Sequence, residues 1–375
     1  MRSEKQPTRL QPQAAEAKTA TATTETRFNP VIKTTPALPA IDWDKIGAEA
    51  PTLLDSPADE LPQADTVIIT WAGAEWAALE HVFCSSSSPM PYSDRSKSYW
   101  DGWQKYDKDM PEYSGSDGEE WSYWGYYRLA EIQGSKVLLF KSNTHLDWPG
   151  EQYLEDLIYR LIDDVSPRLL LSIGTAGGAR TTDHLGTVNV VRAGTLYEED
   201  EPSSKWPVYS NDWDADWATI KEKHFKELLF PVPTKKSDLQ SLCEQFNKYY
   251  GTSYTLAQLN PGNLNMGNAQ PHLNDMTPKG TSLLTTSTFV VATTDGNFEK
   301  YACVEMDDAV IAKVCDSKQT AFGFVRNLSD PVQNAALPQK VQGNWGSAIY
   351  STYGLYTSYN GALATWAIVN AQGSK

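Results

Sequence analysis

Apolar residues recur along this chain in two rhythms. Short, nearly continuous apolar runs stand at Asp65–Thr70, Lys136–Lys141, Arg168–Ile173 and Thr320–Val325. Runs of that length bounded by polar residues read as buried strands, and continuity rather than alternation points to burial on both faces. Tyr126–Ile132 reads as a further strand joined to Lys136–Lys141 by a turn at Gly134, and Leu185–Ala193 as another. The second rhythm is helical. Between Tyr153 and Val165, apolar residues fall at Leu154, Leu157, Ile158, Leu161 and Ile162, one stripe of a helix that Pro167 ends. Helices are also predicted at Glu75–Glu80, over 307–317 and around 357–370. Strands alternating with helices predict an α/β fold with a central, mostly parallel or mixed sheet. No internal repeat is visible.

Residues 1 to about 60 are rich in Ala, Thr, Gln and Pro without apolar periodicity. They are expected to form a disordered or loosely attached tail, leaving 61–375 as one catalytic domain. Within that domain, 85–124 holds a four-serine run, prolines and a crowd of Trp and Tyr, and reads as an insertion. Residues 198–220 and 255–280 read as long loops.

The formal net charge of −15 argues against a nucleic-acid backbone or an anionic membrane as partner. No apolar run reaches the length of a membrane span. The N-terminus has no apolar signal region, and its acids fit a transit peptide poorly. The 4 cysteines include no C-x-x-C pair and read as reduced thiols of a cytoplasmic protein. The 5 histidines lack metal-ligand spacing, so neither metal nor cofactor is expected.

The candidate chemistry sits where predicted strands end. Val325-Arg326-Asn327-Leu328-Ser329-Asp330 closes an apolar run and precedes Pro331. A buried parallel strand ending this way delivers a carboxylate into the crevice where open α/β sheets bind ligands. Upstream, Val304-Glu305-Met306-Asp307-Asp308 places acids at the mouth of an apolar helix. Gly174-Thr175-Ala176-Gly177-Gly178 reads as a glycine turn after a strand, and Glu75 stands just past the first strand. Each has an ordinary structural reading too: Asp330 as a turn cap, the acids at 305–308 as helix N-terminal residues, Glu75 as an exposed helix start.

Taken together and in this order, the motifs resemble the purine nucleoside phosphorylase/uridine phosphorylase superfamily, most closely the methylthioadenosine/S-adenosylhomocysteine nucleosidases. The similarity runs over roughly 65–84 and 126–370, and V-E-M-D-D-A-V-I-A-K-V-C followed by F-V-R-N-L-S-D is its most specific part. It implies a three-layer α/β/α fold and cleavage of a C1′–N glycosidic bond through an oxocarbenium-like transition state.

The resemblance implies that Asp330 protonates the departing purine, with Ser329 beside it, and that Glu75 orients the attacking water. Glu305 and Asp307 would hold the ribose, with Met306 against the sugar. Thr175, Ala176 and Gly177 would line the reacting face, and Phe289 and Val290 the base. The chain departs from the family at Asp307, where Glu is usual, at Asp308, usually Ala, at Ser287-Thr288 before Phe289, and at Asn143-Thr144-His145 in place of a Gly-x-Gly turn. A small nucleoside is the implied partner, in a homodimer or higher homo-oligomer. The insertion is left as an aromatic lid or a subunit contact. A phosphorylase using Arg180 or Arg326, and an inactive nucleoside binder, are the competing readings. Ser172 replaces an arginine that phosphate users carry, which favours water.

Overall fold

The computed structural model describes residues 28–33, 35–58, 60–113, 121–180, 182–217, 222–260, 271–287, 298–332 and 337–373. Nine strands and four helices frame the site. The strands are β1 (Thr66–Thr70), β2 (Gly125–Ile132), β3 (Ser135–Ser142), β4 (Leu169–Gly178), β5 (Val188–Val191), β6 (Ala193–Leu196), β7 (Leu283–Thr285), β8 (Val304–Glu305) and β9 (Ala321–Pro331). The helices are α1 (Gly73–Phe83), α2 (Glu151–Val165), α3 (Asp308–Lys318) and α4 (Gln339–Gly373).

The centre of the sheet runs β3-β1-β4-β9, each neighbour parallel to the next. Every residue of β1 is buried, as its unbroken apolar run requires of a strand covered on both faces. Antiparallel pairing surrounds this centre. β2 folds back on β3, and β5 runs against β9. Gln133 and Gly134 both take positive φ at the β2–β3 turn, the hairpin geometry that Gly134 permits. Short β8 touches β4 antiparallel at Val304–Gly177 and continues in parallel through β7 to β6.

Successive side chains on a strand face opposite ways. On β9, Arg326 reaches Asp308 at the start of α3, while the next residue, Asn327, meets Thr357 on α4 at 2.9 Å. The helices α3 and α4 therefore lie on opposite faces, with α2 packed beside α3 and α1 beside α4. This is the expected three-layer α/β/α fold around a mixed sheet. The α2 stripe Leu154, Leu157, Ile158, Leu161 and Ile162 is buried as predicted.

Four expectations are corrected. First, residues from Phe28 onward are not a loose tail. Leu38, Ile41, Trp43 and Ile46 are buried, Trp43 packs on Trp366 with ring centroids 4.5 Å apart, and His81 bonds the Pro39 carbonyl. Sparse apolar residues sufficed because these four enter the core, although Val31 stays exposed; residues 1–27 lie outside the described part.

Second, Gly174–Gly178 is not a turn but the end of β4, paired with β9 through Pro331. Third, α4 begins at Gln339 rather than near 357. Its Gly, Ser, Thr and Tyr content hid a helix that is buried over most of its circumference. Fourth, the loops at 198–220 and 255–280 carry short elements, Val208–Ser210, Leu256–Leu259 and Leu273–Asp275, and Lys236–Tyr250 is a helix. The described part of the 85–124 insertion adds strand Gln104–Tyr106 to β2 and buries Trp103, Tyr106, Trp121 and Trp124 in the core.

Gly323 is the tightest point of β9: a Cβ there would lie 2.1 Å from the Trp213 ring. Gly323→Ala is expected to destabilise the fold by about 1–3 kcal/mol through overpacking. A lowered urea midpoint with an unchanged m-value would register that loss.

Candidate functional site

The C-terminal half of β4 is the spine of the site. Thr175 faces α1 and Gly177 pairs with Asp330 on β9 and with Val304 on β8. Gly177 has to be glycine because Val332 packs over it, with Cγ1 only 1.8 Å from where a Cβ would stand.

Glu75 enters from the first turn of α1. Its Oε2 accepts hydrogen bonds from Thr70 Oγ1 (3.0 Å), Trp71 N (3.1 Å) and Ala72 N (2.9 Å). Its Oε1 accepts from the Thr175 amide and the Thr175 hydroxyl, both at 2.7 Å. Five donors converge on this one buried side chain at the first turn of α1. Thr175 thus serves Glu75 directly, and the two strand ends are locked by that contact.

A denser cluster lies beside it. Arg326, only 3% exposed, gives its Nε to Asp308 Oδ2 at 2.6 Å and its Nη2 to Asp308 Oδ1. The same Nη2 reaches Ser172 Oγ at 2.7 Å and Glu305 Oε2 at 3.2 Å. Ser172 in turn donates to Asp308 Oδ1. Glu305 accepts from the Asp307 and Asp308 amides at the mouth of α3 and from Thr285 Oγ1. Burial raises the pKa of both Glu305 and Asp308, their mutual repulsion adds to it for Glu305, and Arg326 opposes the rise in each. Burial works against charge on Arg326, but Asp308 and Glu305 outweigh it and lift its pKa. Arg326 also lies over the Trp71 ring, 5.4 Å from its centroid.

Asp307, buried, turns to a different loop. Its Oδ1 accepts from Leu146 N at 2.9 Å and its Oδ2 sits 3.2 Å from His145 Nδ1. Burial is the largest single influence on the His145 pKa and lowers it, but Asp307 together with Asp147 raises it, and the net change is upward. Met306, between the two acids, is half-buried.

Asp330 is the contrast to all of these. A register shift between Leu328 and Asp330 makes Ser329 the extra residue of a bulge, which re-aims the side chain at the strand end. Oδ1 accepts from Ser329 Oγ at 2.6 Å, and Ser329 Oγ lies 3.5 Å from the Ala176 carbonyl. Oδ2 is buried and has no hydrogen-bond partner among the described residues. Gly346 on α4 leaves room in front of it; a Cβ there would stand 3.2 Å from Oδ2. Burial pushes the Asp330 pKa up to about 6, with the Ser329 bond opposing.

The sequence-predicted Glu75, Thr175, Ala176, Gly177, Glu305, Met306, Asp307, Ser329 and Asp330 therefore gather around one strand end. Glu305 and Asp307 are both engaged within the chain, on Arg326 and on the 145–146 loop. Phe289 and Val290 lie outside the described residues. Arg180 is held by Asp183 through Nε and Nη2 at 3.0 and 2.9 Å. The central place of Arg326, and of Ser172 and Asp308 with it, was not foreseen. The available signal was one buried strand position carrying a cation, which must be matched by carboxylates. Among the described residues no group of three or more His, Cys, Asp or Glu side chains is placed to hold a metal ion. Nor is any described helix long and apolar enough to cross a membrane.

No family model and no curated protein matches the chain. Solved structures do resemble it. The 5′-methylthioadenosine/S-adenosylhomocysteine nucleosidase of Neisseria meningitidis, in complex with methylthio-immucillin-A, is 13% identical with a TM-score of 0.41, covering 82% of this chain and 99% of that one. A mutant of the Helicobacter pylori nucleosidase with 5′-methylthioadenosine in its active site is 12% identical, TM-score 0.43, over 82% and 98%. Futalosine hydrolase of Helicobacter pylori is 12% identical, TM-score 0.41, over 82% and 98%.

A carboxyl whose pKa rises from 3.8 to about 6 on folding binds its proton more tightly in the native state. Native stability therefore falls as pH rises between those values, by up to about 3 kcal/mol, and stays reduced above them. Asp330→Asn is expected to resist urea better than the native chain at pH 8, with the advantage shrinking towards pH 4.

Proposed function

We propose that the chain hydrolyses the N-glycosidic bond of a purine nucleoside or adenosine derivative, releasing the free base and the sugar. The observation that carries this reading is the pairing of unlike carboxyls across the end of β4. Asp330 is buried, its pKa is pushed up to about 6, and one of its oxygens has no partner among the described residues. Glu75, by contrast, accepts from five donors. In this reading Asp330, with its open oxygen, serves as the acid and Glu75 as the base.

In this reading water bonds to C1′ through its oxygen as the C1′–N bond breaks. The bonding pair goes to the base, which takes the Asp330 proton, and the proton released by water passes towards Glu75. Met306 and the backbone from Thr175 to Gly177 lie against the sugar. Asp307 contributes on the sugar side through the 145–146 loop that it holds, while Glu305 is given to Arg326 and the mouth of α3. The expected homo-oligomer and cytoplasmic location belong to this proposal too. Water is favoured over phosphate because Arg180 and Arg326 are both occupied by carboxylates.

Release of free purine from adenosine, methylthioadenosine, S-adenosylhomocysteine, inosine and AMP, with and without phosphate, tests the reading. Base release independent of phosphate is expected from at least one of them. Asp330→Asn and Glu75→Gln should each lower kcat/KM by roughly 10²–10⁴-fold. The native kcat/KM should fall as pH rises through about 6, following Asp330, and that limb should vanish in Asp330→Asn. No release from any of the five would remove the hydrolase.

A further inference from the structure

A guanidinium binds an oxyanion well through two parallel N–H groups on one edge. In this site the Nε–Nη2 edge of Arg326 is given to Asp308, which is 0% exposed. Nη2 is shared further with Ser172 and Glu305, so the second edge, Nη1–Nη2, is also compromised. Only Nη1 donates to none of the described residues. It lies over Gly174, 2.3 Å from where a Cβ would stand, and Glu75 Oε1 is 3.0 Å from that same point. One free amino nitrogen, Nη1, next to a carboxyl oxygen and above a residue with no side chain is a place for a small neutral molecule that both accepts and donates. A phosphate there would face Glu75, Glu305 and Asp308 with only the Nη1 nitrogen, and no two-nitrogen edge, available to it.

We propose that Asp308 is the specificity-determining residue that commits this site to water. It does so as a positioning residue, by occupying the fork of Arg326 and adding a buried negative charge behind it. Ser172 closes the ring by donating to Asp308 while accepting from Arg326. With Asp308 shortened, the fork is released and the local charge becomes less negative. Phosphate then becomes an acceptable nucleophile: its oxygen bonds to C1′, the C1′–N bond breaks, the base takes a proton, and a sugar 1-phosphate is formed instead of the free sugar. This inference rests on the hydrolytic reading above for its meaning, but its test does not require turnover.

The experiment is a calorimetric titration of inorganic phosphate into the native protein, Asp308→Ala, Asp308→Asn, and Asp308→Ala combined with Arg326→Gln. Circular dichroism confirms that each is folded. The native chain is expected to show no binding, and Asp308→Ala a Kd on the order of 1 mM. Asp308→Asn keeps the shape of the side chain and decides the matter if the alanine variant fails to fold. The double variant should lose the acquired binding, which a general loosening of the fold would leave in place. In parallel, the sugar product of each active variant is identified. Sugar 1-phosphate from Asp308→Ala, or competition of phosphate with nucleoside, supports the proposal. Folded Asp308 variants that ignore phosphate overturn it, and so does a native enzyme that itself consumes phosphate. A native chain that releases no base would end the hydrolytic reading alone, since the phosphate titration still reports on Asp308.

Discussion

A guanidinium taken out of water must be surrounded by matching charge, and Arg326 is where this protein meets that constraint. Its partners come from three separate parts of the chain: Ser172 on β4, Glu305 on β8 and Asp308 at the start of α3. Breaking such a group by removing one member leaves a buried charge unmatched, at a cost of about 3–5 kcal/mol. The sheet centre, the short β8 and α3 are therefore held at one relative placement. Glu305 extends the same constraint, because its carboxylate also receives the first amides of α3. Helix, strand and cation share one set of acceptors.

Against that background of full occupancy, Asp330 stands out physically. Glu75 has five donors, Asp307 two contacts and Asp308 three, while Asp330 keeps a buried oxygen without one among the described residues. An unsatisfied buried acceptor costs on the order of 1–3 kcal/mol. Natural folds tolerate such costs chiefly where a site needs them. The bulge at Ser329 and the glycine at 346 keep the space around that oxygen open, so two further features of the backbone converge on the same group.

The two departures at Asp307 and Asp308 acquire distinct meanings in three dimensions. Asp307 meets His145, itself a departure from the Gly-x-Gly turn of the resembling family, so two unusual residues far apart in sequence answer each other. Asp308 meets Ser172, which donates to it from β4. Each looked like an isolated substitution along the chain. Each is one half of a pair.

The chain alone determined the alternation of strand and helix, the apolar face of α2 and the buried run of β1, because those depend on local periodicity. It also brought Glu75, the 304–308 acids and Asp330 forward, since strand ends and helix mouths are marked by abrupt changes from apolar to polar residues. Periodicity failed for α4, whose near-complete burial erases any polar face, and for residues 28–60, whose few apolar side chains are scattered although several of them reach the core. It failed again at 174–178, where glycines that suggest a turn are needed for close packing beneath Val332. Which acid faces which donor was beyond it. Carboxyl groups at 75, 305, 307, 308 and 330 are alike in sequence, and only the distances to Thr175, Arg326, His145 and Ser329 divide them into one saturated with donors, a cation's partners, a loop tether and one with an oxygen left open among the described residues. Hydrogen bonding and burial act over about 3 Å in space, whatever the separation along the chain.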